Sequence, residues 1–258
     1  MPVCEIHTNN DNALDKVTSA MVILPDSRHA GPFPVLYLLH GLSGNHASWV
    51  RNSSIERYVA DLPLIVVMPD GGRSFYTDSV ENPRGAFETY IVRDLLGFVD
   101  RVFRSIPGRE GRVIGGFSMG GYGALKLALK HPDLFRAAAS HSGAVDFASG
   151  SAWPDDAFRR EFEPIFGKRS SGGPEDLFGI AQRAERATLP ALRIDCGVDD
   201  FLIEPNRRFH QHLDTLGVPH EYAEYPGAHD WAYWDLHVQE TIAFVARELG
   251  LQRAPAAQ

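Results

Sequence analysis

One stretch constrains this chain more than any other: Arg112-Val-Ile-Gly-Gly-Phe-Ser-Met-Gly-Gly-Tyr-Gly-Ala-Leu-Lys126. Val113-Ile114 is β-branched and reads as the end of a buried strand. Gly116-x-Ser118-x-Gly120 follows, and residues 124–130 read as a helix of good formers. Strand, glycine-flanked turn and helix in succession are the setting in which G-x-S-x-G forms a nucleophile elbow. The serine then sits in strained backbone, and side chains two residues either way would collide with the neighbouring strand or helix. Its hydroxyl projects at the start of a helix, where free N–H groups and the helix dipole favour negative charge.

The 258 residues suffice for a full core, and the apolar and charged fractions, 44% and 22%, are those of a soluble globular protein. A net charge of −8 argues against nucleic acid as a partner, because phosphate binding needs a basic surface. No run approaches the ~18 apolar residues of a membrane span. The start, Met1-Pro-Val-Cys-Glu-Ile-His7, lacks a basic segment followed by an apolar one, so a cytoplasmic location is expected. Cys4 and Cys196 lie far apart and are expected to be reduced.

Residues 3–8 and 16–24 read as strands, the second half-buried and antiparallel. Val35–Leu39 and residues 64–68 are continuous apolar runs, suited to the middle of a sheet covered on both faces. His40-Gly-Leu-Ser-Gly-Asn45 is a tight turn with exposed N–H groups, a source of oxyanion donors, and His40 itself reads as structural. Residues 48–60 hold a short helix. An amphipathic helix is expected over 87–104, with Ile91, Leu95, Phe98 or Val99, and Val102 on its apolar face. Residues 135–140 read as a strand, and His141 beyond it as a satisfied structural histidine. Residues 147–188 break the pattern and read as an insertion of short helices, a cap that shapes an acyl pocket. A strand at 192–195, a helix at 204–216, a last strand at Glu221–Tyr225, a closing helix at 234–249 and a frayed tail at 252–258 complete the chain. This alternation predicts an α/β fold over residues 1–258, with a mostly parallel sheet and helices on both faces.

A serine hydroxyl is a weak nucleophile until a histidine takes its proton, and an acid must hold that histidine's tautomer. The chain offers Ser118, then Asp199 or Asp200, then His229, each in a loop after an expected strand, where ligands of parallel sheets sit. Spacing does not separate Asp199 from Asp200. Asp195 lies inside a strand, His220 and His237 lie in or beside regular elements, and Asp230 reads as a helix N-cap. His210-x-His212 would point to different faces of a helix, and neither an H-E-x-x-H motif, a Cys/His ligand set nor a P-loop is present; no metal or cofactor is expected.

Five motifs carry a family resemblance: Leu38-Leu-His-Gly-Leu-Ser-Gly-Asn45, Met68-Pro-Asp-Gly-Gly-Arg-Ser-Phe-Tyr-Thr-Asp78, Gly115-Gly-Phe-Ser-Met-Gly-Gly-Tyr-Gly-Ala124, Cys196-Gly-Val-Asp-Asp-Phe-Leu202 and Gly227-Ala-His-Asp-Trp231. With them the chain resembles the esterase D group of α/β-hydrolases, most closely its bacterial tributyrin-esterase branch. The resemblance implies Ser118 as nucleophile, His229 as base and Asp200, the last residue of a Gly-x-x-Asp turn, as acid. It implies oxyanion donors at the backbone N–H of Leu42 and Met119. It also implies an α/β-hydrolase sheet whose first strands are antiparallel. The chain departs from the S-formylglutathione hydrolase branch, which usually has His before the serine and His in place of Tyr122. The expected activity is hydrolysis of a small-molecule, short-chain acyl ester; the alternatives are a thioesterase like S-formylglutathione hydrolase, or an acetyl or feruloyl sugar-ester esterase. Trp49, Tyr76 and Trp231 are candidates for the substrate pocket wall. Homo-oligomerisation is left open.

Overall fold

The long apolar runs become the centre of a sheet because both of their faces are covered. In the computed structural model, which describes residues 2–9, 11–149, 153, 155–168 and 171–253, the strands are β1 (Val3–Thr8), β2 (Thr18–Ile23), β3 (Val35–Leu39), β4 (Ile65–Pro69), β5 (Arg112–Phe117), β6 (Ala137–His141), β7 (Ala191–Gly197) and β8 (Glu221–Tyr225). They form one sheet in the order β1-β2-β4-β3-β5-β6-β7-β8. β2 pairs antiparallel with both β1 and β4, and every pairing from β4 to β8 is parallel.

Alternate residues of each central strand feed two separate cores, as the period of two requires. Tyr37, Leu39, Val67 and Ile114 face one core with α5 (Met119–Lys130) and α8 (Ile203–Thr215). Leu36, Leu38, Val66 and Val113 face the other with α1 (Ser48–Asn52), α2 (Ile55–Val59) and α9 (Trp231–Glu248). The mostly parallel sheet covered on both faces is the α/β architecture expected from the alternation of strands and helices.

Three elements differ in detail from expectation. The helix at 48–60 is two, because the Ser53 hydroxyl donates to the Trp49 carbonyl and the Ser54 N–H donates to Asp235, ending one helix and starting the next. The helix at 87–104 is interrupted: α3 (Phe87–Thr89) runs into a π-helical turn, Tyr90–Leu95, and then α4 (Leu96–Val102). The wider turn shifts everything after it around the axis. The buried stripe is therefore Tyr90, Ile91, Leu95, Leu96 and Val99, while Val102 is exposed. The closing helix starts one turn early, at Trp231, because the Asp230 carboxylate accepts from the Tyr233 N–H and caps it.

After β6 the chain leaves the sheet through α6 (Asp156–Phe166) and α7 (Leu177–Arg183), capped by Asp155 and Asp176. Aromatic packing seats this stretch on the 70–78 loop: Phe147 stacks on Phe75 at 4.0 Å, and Phe162 meets both rings edge-on. The Ser79 hydroxyl and the Val80 and Glu81 N–H groups donate to the Pro164 and Ile165 carbonyls. Of the expected tail, residues 254–258 lie outside the described residues.

Candidate active site

Strand β5 delivers Ser118 to the carboxyl edge of the sheet, and α5 starts one residue later. Ser118 has φ 55° and ψ −117°, a left-handed conformation that a side chain adopts only under strain. Its N–H donates to the His141 carbonyl at 2.9 Å, and its own carbonyl accepts from the Tyr122 and Ala144 N–H groups at 3.1 Å. These bonds hold the strained residue in place. A Cβ on Gly120 would stand 2.5 Å from the Leu39 carbonyl oxygen, and one on Gly116 would stand 2.6 Å from Gly120. Only glycine lets α5 start this close to β3 and β5.

Asp200 and His229 come from the loops after β7 and β8. The two loops are zipped together: Val198 N–H donates to the Tyr225 carbonyl (2.9 Å) and Asp199 N–H to the Gly227 carbonyl (3.0 Å). A Cβ on Gly197 would lie 2.2 Å from the Gly227 oxygen, so this approach also needs glycine. His229 Nδ1–H donates to Asp200 Oδ2 at 2.8 Å, and His229 Nε2 lies 3.0 Å from Ser118 Oγ. Burial by itself would raise the Asp200 carboxyl, but hydrogen bonds from His229, from the Ser142 hydroxyl and from the Leu202 N–H outweigh it. They hold the group below the usual carboxylate range. An ionised Asp200 keeps the imidazole proton on Nδ1, which leaves Nε2 free to accept the serine proton.

The rival residues sit elsewhere. Asp199 is exposed. Asp195 is buried beneath the sheet edge, where it accepts from His141 Nδ1–H and from the Tyr233 hydroxyl, both at 2.9 Å. His141 is fully satisfied, since its Nε2 also accepts from Thr241 at 2.8 Å. His237 stacks on Tyr225, and His220 contacts His210. Cys4 and Cys196 are both free thiols.

Met119 is the first residue of α5, so its N–H has no carbonyl partner within the helix. The Leu42 N–H is aimed by its own peptide plane. The Gly41 carbonyl of that plane accepts from Gly44 N–H (3.0 Å) and from His40 Nδ1 (2.7 Å), and in a trans peptide the N–H points the opposite way. His40 can donate there because its Nε2 accepts from the Gly71 N–H at 2.8 Å, which sets the tautomer.

Trp49 and Tyr76 are not on the pocket wall, contrary to expectation. Both are in the core, Trp49 at 1% and Tyr76 at 0% exposure, because each has a polar tip that finds a buried backbone carbonyl. Trp49 Nε1–H donates to Leu39 (3.1 Å) and the Tyr76 hydroxyl donates to His40 (2.9 Å). They brace the 40–44 turn from below. Trp231 lines the cavity beside Ser118.

The chain matches, over residues 12–244, the sequence family described as "Putative esterase". The chain belongs to this esterase family. It is 29% identical over 252 residues to an acetyl esterase of Caldicellulosiruptor saccharolyticus, covering 91% of this chain and 94% of that one. Among solved structures it is similar to FphF, a fluorophosphonate-binding serine hydrolase of Staphylococcus aureus (TM-score 0.86, 29% identity, 94% of this chain and 97% of that one). It is also similar to an S-formylglutathione hydrolase, FrmB, of Staphylococcus aureus (TM-score 0.81, 30% identity, 94% and 98%). The fold is that of the α/β-hydrolases, and the chain is a serine esterase acting on carboxylic ester bonds.

Two cavities of this esterase meet at Ser118. One, of about 420 Å³, is apolar and lined by Phe75, Ala144, Phe147, Phe158, Leu202 and Pro205, with Asp146 at its wall. The other, of about 390 Å³, is lined by Ser43, Ser48, Asn52, Phe117, His229, Trp231 and Trp234. Among the described residues, neither wall includes a lysine or arginine. Phe201, 74% exposed, touches both cavities and covers the His229 ring at 4.5 Å, while Trp234 meets that ring edge-on at 4.9 Å. Sequence reasoning missed Phe201, Trp234, Phe147 and Phe158 as site residues. For Phe201 a signal existed, an aromatic side chain directly after the acid; Phe147 and Phe158 belong to the 147–188 stretch expected to shape an acyl pocket, which did not single them out.

Proposed function

We propose that this esterase hydrolyses neutral esters of short acyl chains through an acyl-enzyme on Ser118. The reading rests on one observation above all: the hydrogen-bonded series Asp200, His229, Ser118, at 2.8 and 3.0 Å, at the junction of an apolar and a more polar cavity. Ser118 Oγ attacks the acyl carbon as its proton passes to His229 Nε2, and Asp200 stabilises the imidazolium. The N–H groups of Leu42 and Met119 receive the oxyanion. His229 then gives its proton to the leaving alcohol, and a water deprotonated by the same nitrogen releases the acid.

The apolar cavity takes the acyl chain, and the cavity with Ser43, Ser48 and Asn52 takes the alcohol. This division favours an ester over a formyl thioester of glutathione. A formyl group would leave about 420 Å³ of apolar space unfilled, and an anionic glutathione would find no lysine or arginine on the described walls. A second reading, an aromatic acyl group such as feruloyl, draws on the stacked Phe75 and Phe147 rings.

The test is turnover of p-nitrophenyl esters from acetate to decanoate, beside a hydroxycinnamate ester and a formyl thioester, with and without a fluorophosphonate. Inhibitable turnover that peaks at short chains is expected. Ser118→Ala is expected to lower kcat by several orders of magnitude with the fold intact. Near-normal turnover in that variant would remove Ser118 from the reaction, and preference for the thioester would reverse the substrate assignment.

A further inference from the structure

Among the described residues, three line both of the cavities that meet at the nucleophile: Leu42, Phe201 and Ser118 itself. The junction of the cavities lies between them. An ester with its acyl chain in one cavity and its alcohol in the other has its ester bond at that junction. Ser118 brings the attacking hydroxyl there, and Leu42 brings a backbone N–H. Phe201 brings no group that attacks, donates or accepts. It brings only bulk.

The backbone that carries this ring is pinned on both sides. Asp200 N–H donates to the Gly197 carbonyl at 3.1 Å, and Ile203 N–H donates to the Asp200 carbonyl at 3.0 Å. Leu202 N–H donates to Asp200 Oδ1 at 2.8 Å, and the Leu202 side chain is buried in the wall of the apolar cavity. The Phe201 ring rests against the imidazole of His229, with centroids 4.5 Å apart and planes at 51°. The ring is otherwise open, at 74% exposure. An ester seated at the junction would cover it, and removing that apolar area from water favours binding.

The same ring limits what can bind. With the acyl chain in the apolar cavity, the carbon beside the carbonyl is the first atom past the junction. In a straight chain that carbon bears only hydrogens and passes beside the ring. A methyl branch there needs space that Phe201 fills. Ser118 is held in place by its strained, hydrogen-bonded backbone, and it leaves no room on its own side.

We propose that Phe201 is a specificity-determining residue, which restricts the enzyme to esters whose acyl group is unbranched at the carbon beside the carbonyl. The inference rests on the esterase reading above and on the apolar cavity as the acyl site. Its substrates are esters of straight-chain acids such as butyric acid, and esters of isobutyric or pivalic acid are excluded.

The experiment compares kcat/KM for p-nitrophenyl butyrate, isobutyrate and pivalate in the parent, Phe201→Leu and Phe201→Ala. Each value is divided by that ester's rate of hydrolysis by hydroxide, which removes its intrinsic reactivity. The parent is expected to prefer butyrate to isobutyrate by about tenfold or more, the scale of one misplaced carbon in a pocket, with pivalate poorer still. Phe201→Ala should narrow that preference to about threefold or less, with the melting temperature unchanged because the ring is mostly outside the core. Phe201→Leu, which keeps an apolar side chain beside His229, should give an intermediate ratio, and it carries the test if the alanine variant loses turnover. Equal use of butyrate and isobutyrate by the parent would overturn the proposal, as would a ratio that neither variant moves. Failure of the parent to turn over any of the three esters would overturn the esterase reading and this inference with it, whereas turnover of butyrate with an unmoved ratio overturns this inference alone.

Discussion

Asp199 and Asp200 are neighbours in sequence and occupy opposite environments: the first is exposed, the second is 2% exposed and hydrogen-bonded to His229. What distinguishes them is direction, since a turn sends consecutive side chains apart. Asp200→Asn would keep the shape but offer an amide N–H or a weaker acceptor to His229 Nδ1. The imidazole would then lose its reason to hold the proton on Nδ1. We expect kcat to fall by about 10⁴ while KM changes little, measured on the same ester panel. An unchanged kcat would mean that the 2.8 Å contact does not set the tautomer. His40, Trp49 and Tyr76 work at the same scale from within the core, and Trp49 packs edge-on against the cavity-lining Phe117 and Trp231. Each bonds to a backbone carbonyl in or beside the 40–44 turn, and the one that His40 bonds, Gly41, belongs to the peptide that carries the Leu42 N–H.

At the scale of elements, the stretch after β6 forms one wall of the apolar cavity. Phe147 is its pivot: it stacks on Phe75, meets Phe162 edge-on and lines the space beside Ser118. Phe147→Ala would enlarge that space and remove the stacking. We expect a loss of about 3 kcal/mol in unfolding free energy. We also expect the preferred p-nitrophenyl ester to shift toward longer acyl chains. A lower melting temperature with an unchanged chain-length profile would place the acyl group in the other cavity. The π-helical turn at Tyr90–Leu95 belongs to this scale too. Its apolar spacing reads as an ordinary amphipathic helix, because the residues that widen the turn carry no composition signal of their own.

At the scale of the whole molecule, a buried charge cluster joins α3, α5 and the 171–176 segment. Lys126, with no exposure, donates to the Tyr76 carbonyl, to Thr77 Oγ1 and to Glu175 Oε2, each at 2.8 Å, and pairs with Glu88 at 3.0 Å. Lys130 joins both carboxylates, and His131 joins Glu88. Burial would raise Glu88 and Glu175, but the lysines outweigh it and hold both below the usual carboxylate range. Carboxyls lowered by folding add stability above their unfolded pKa and lose it as the pH falls toward their folded one. The melting temperature should therefore drop below about pH 4.5, where unfolded glutamates begin to take protons. Glu88→Gln should cost about 3 kcal/mol near neutral pH, since Lys126 stays buried with one partner fewer. It should also flatten the acid drop. A variant with the parent's acid profile would mean that Glu88 gives up no charge there.

The local chemistry of the chain determined the strands and the elbow. Runs such as Val35–Leu39 can only be central strands, because five buried residues in succession need both sheet faces covered. Ser118 could be read from its flanking glycines, because the close approach of β3, β5 and α5 excludes any other residue there. Asp230 as a helix cap was legible for a similar reason, since it answers to its neighbours in sequence, whereas the partners that make His141 structural, Asp195 and Thr241, come from distant strands and helices. Only the tertiary structure decided the pocket wall. Trp49 and Tyr76 looked like wall residues, yet buried carbonyls captured their polar tips, and Phe147 and Phe158 arrived from a stretch whose many aromatic residues do not show by spacing which of them face the cavity. It alone also joined His210 with Asp214 and His220 rather than with His212, which turns away to the Phe178 carbonyl. Sequence spacing reports which residues share a face of one element. Contacts between elements depend on how the sheet twists and the loops fold back, and no local pattern encodes that.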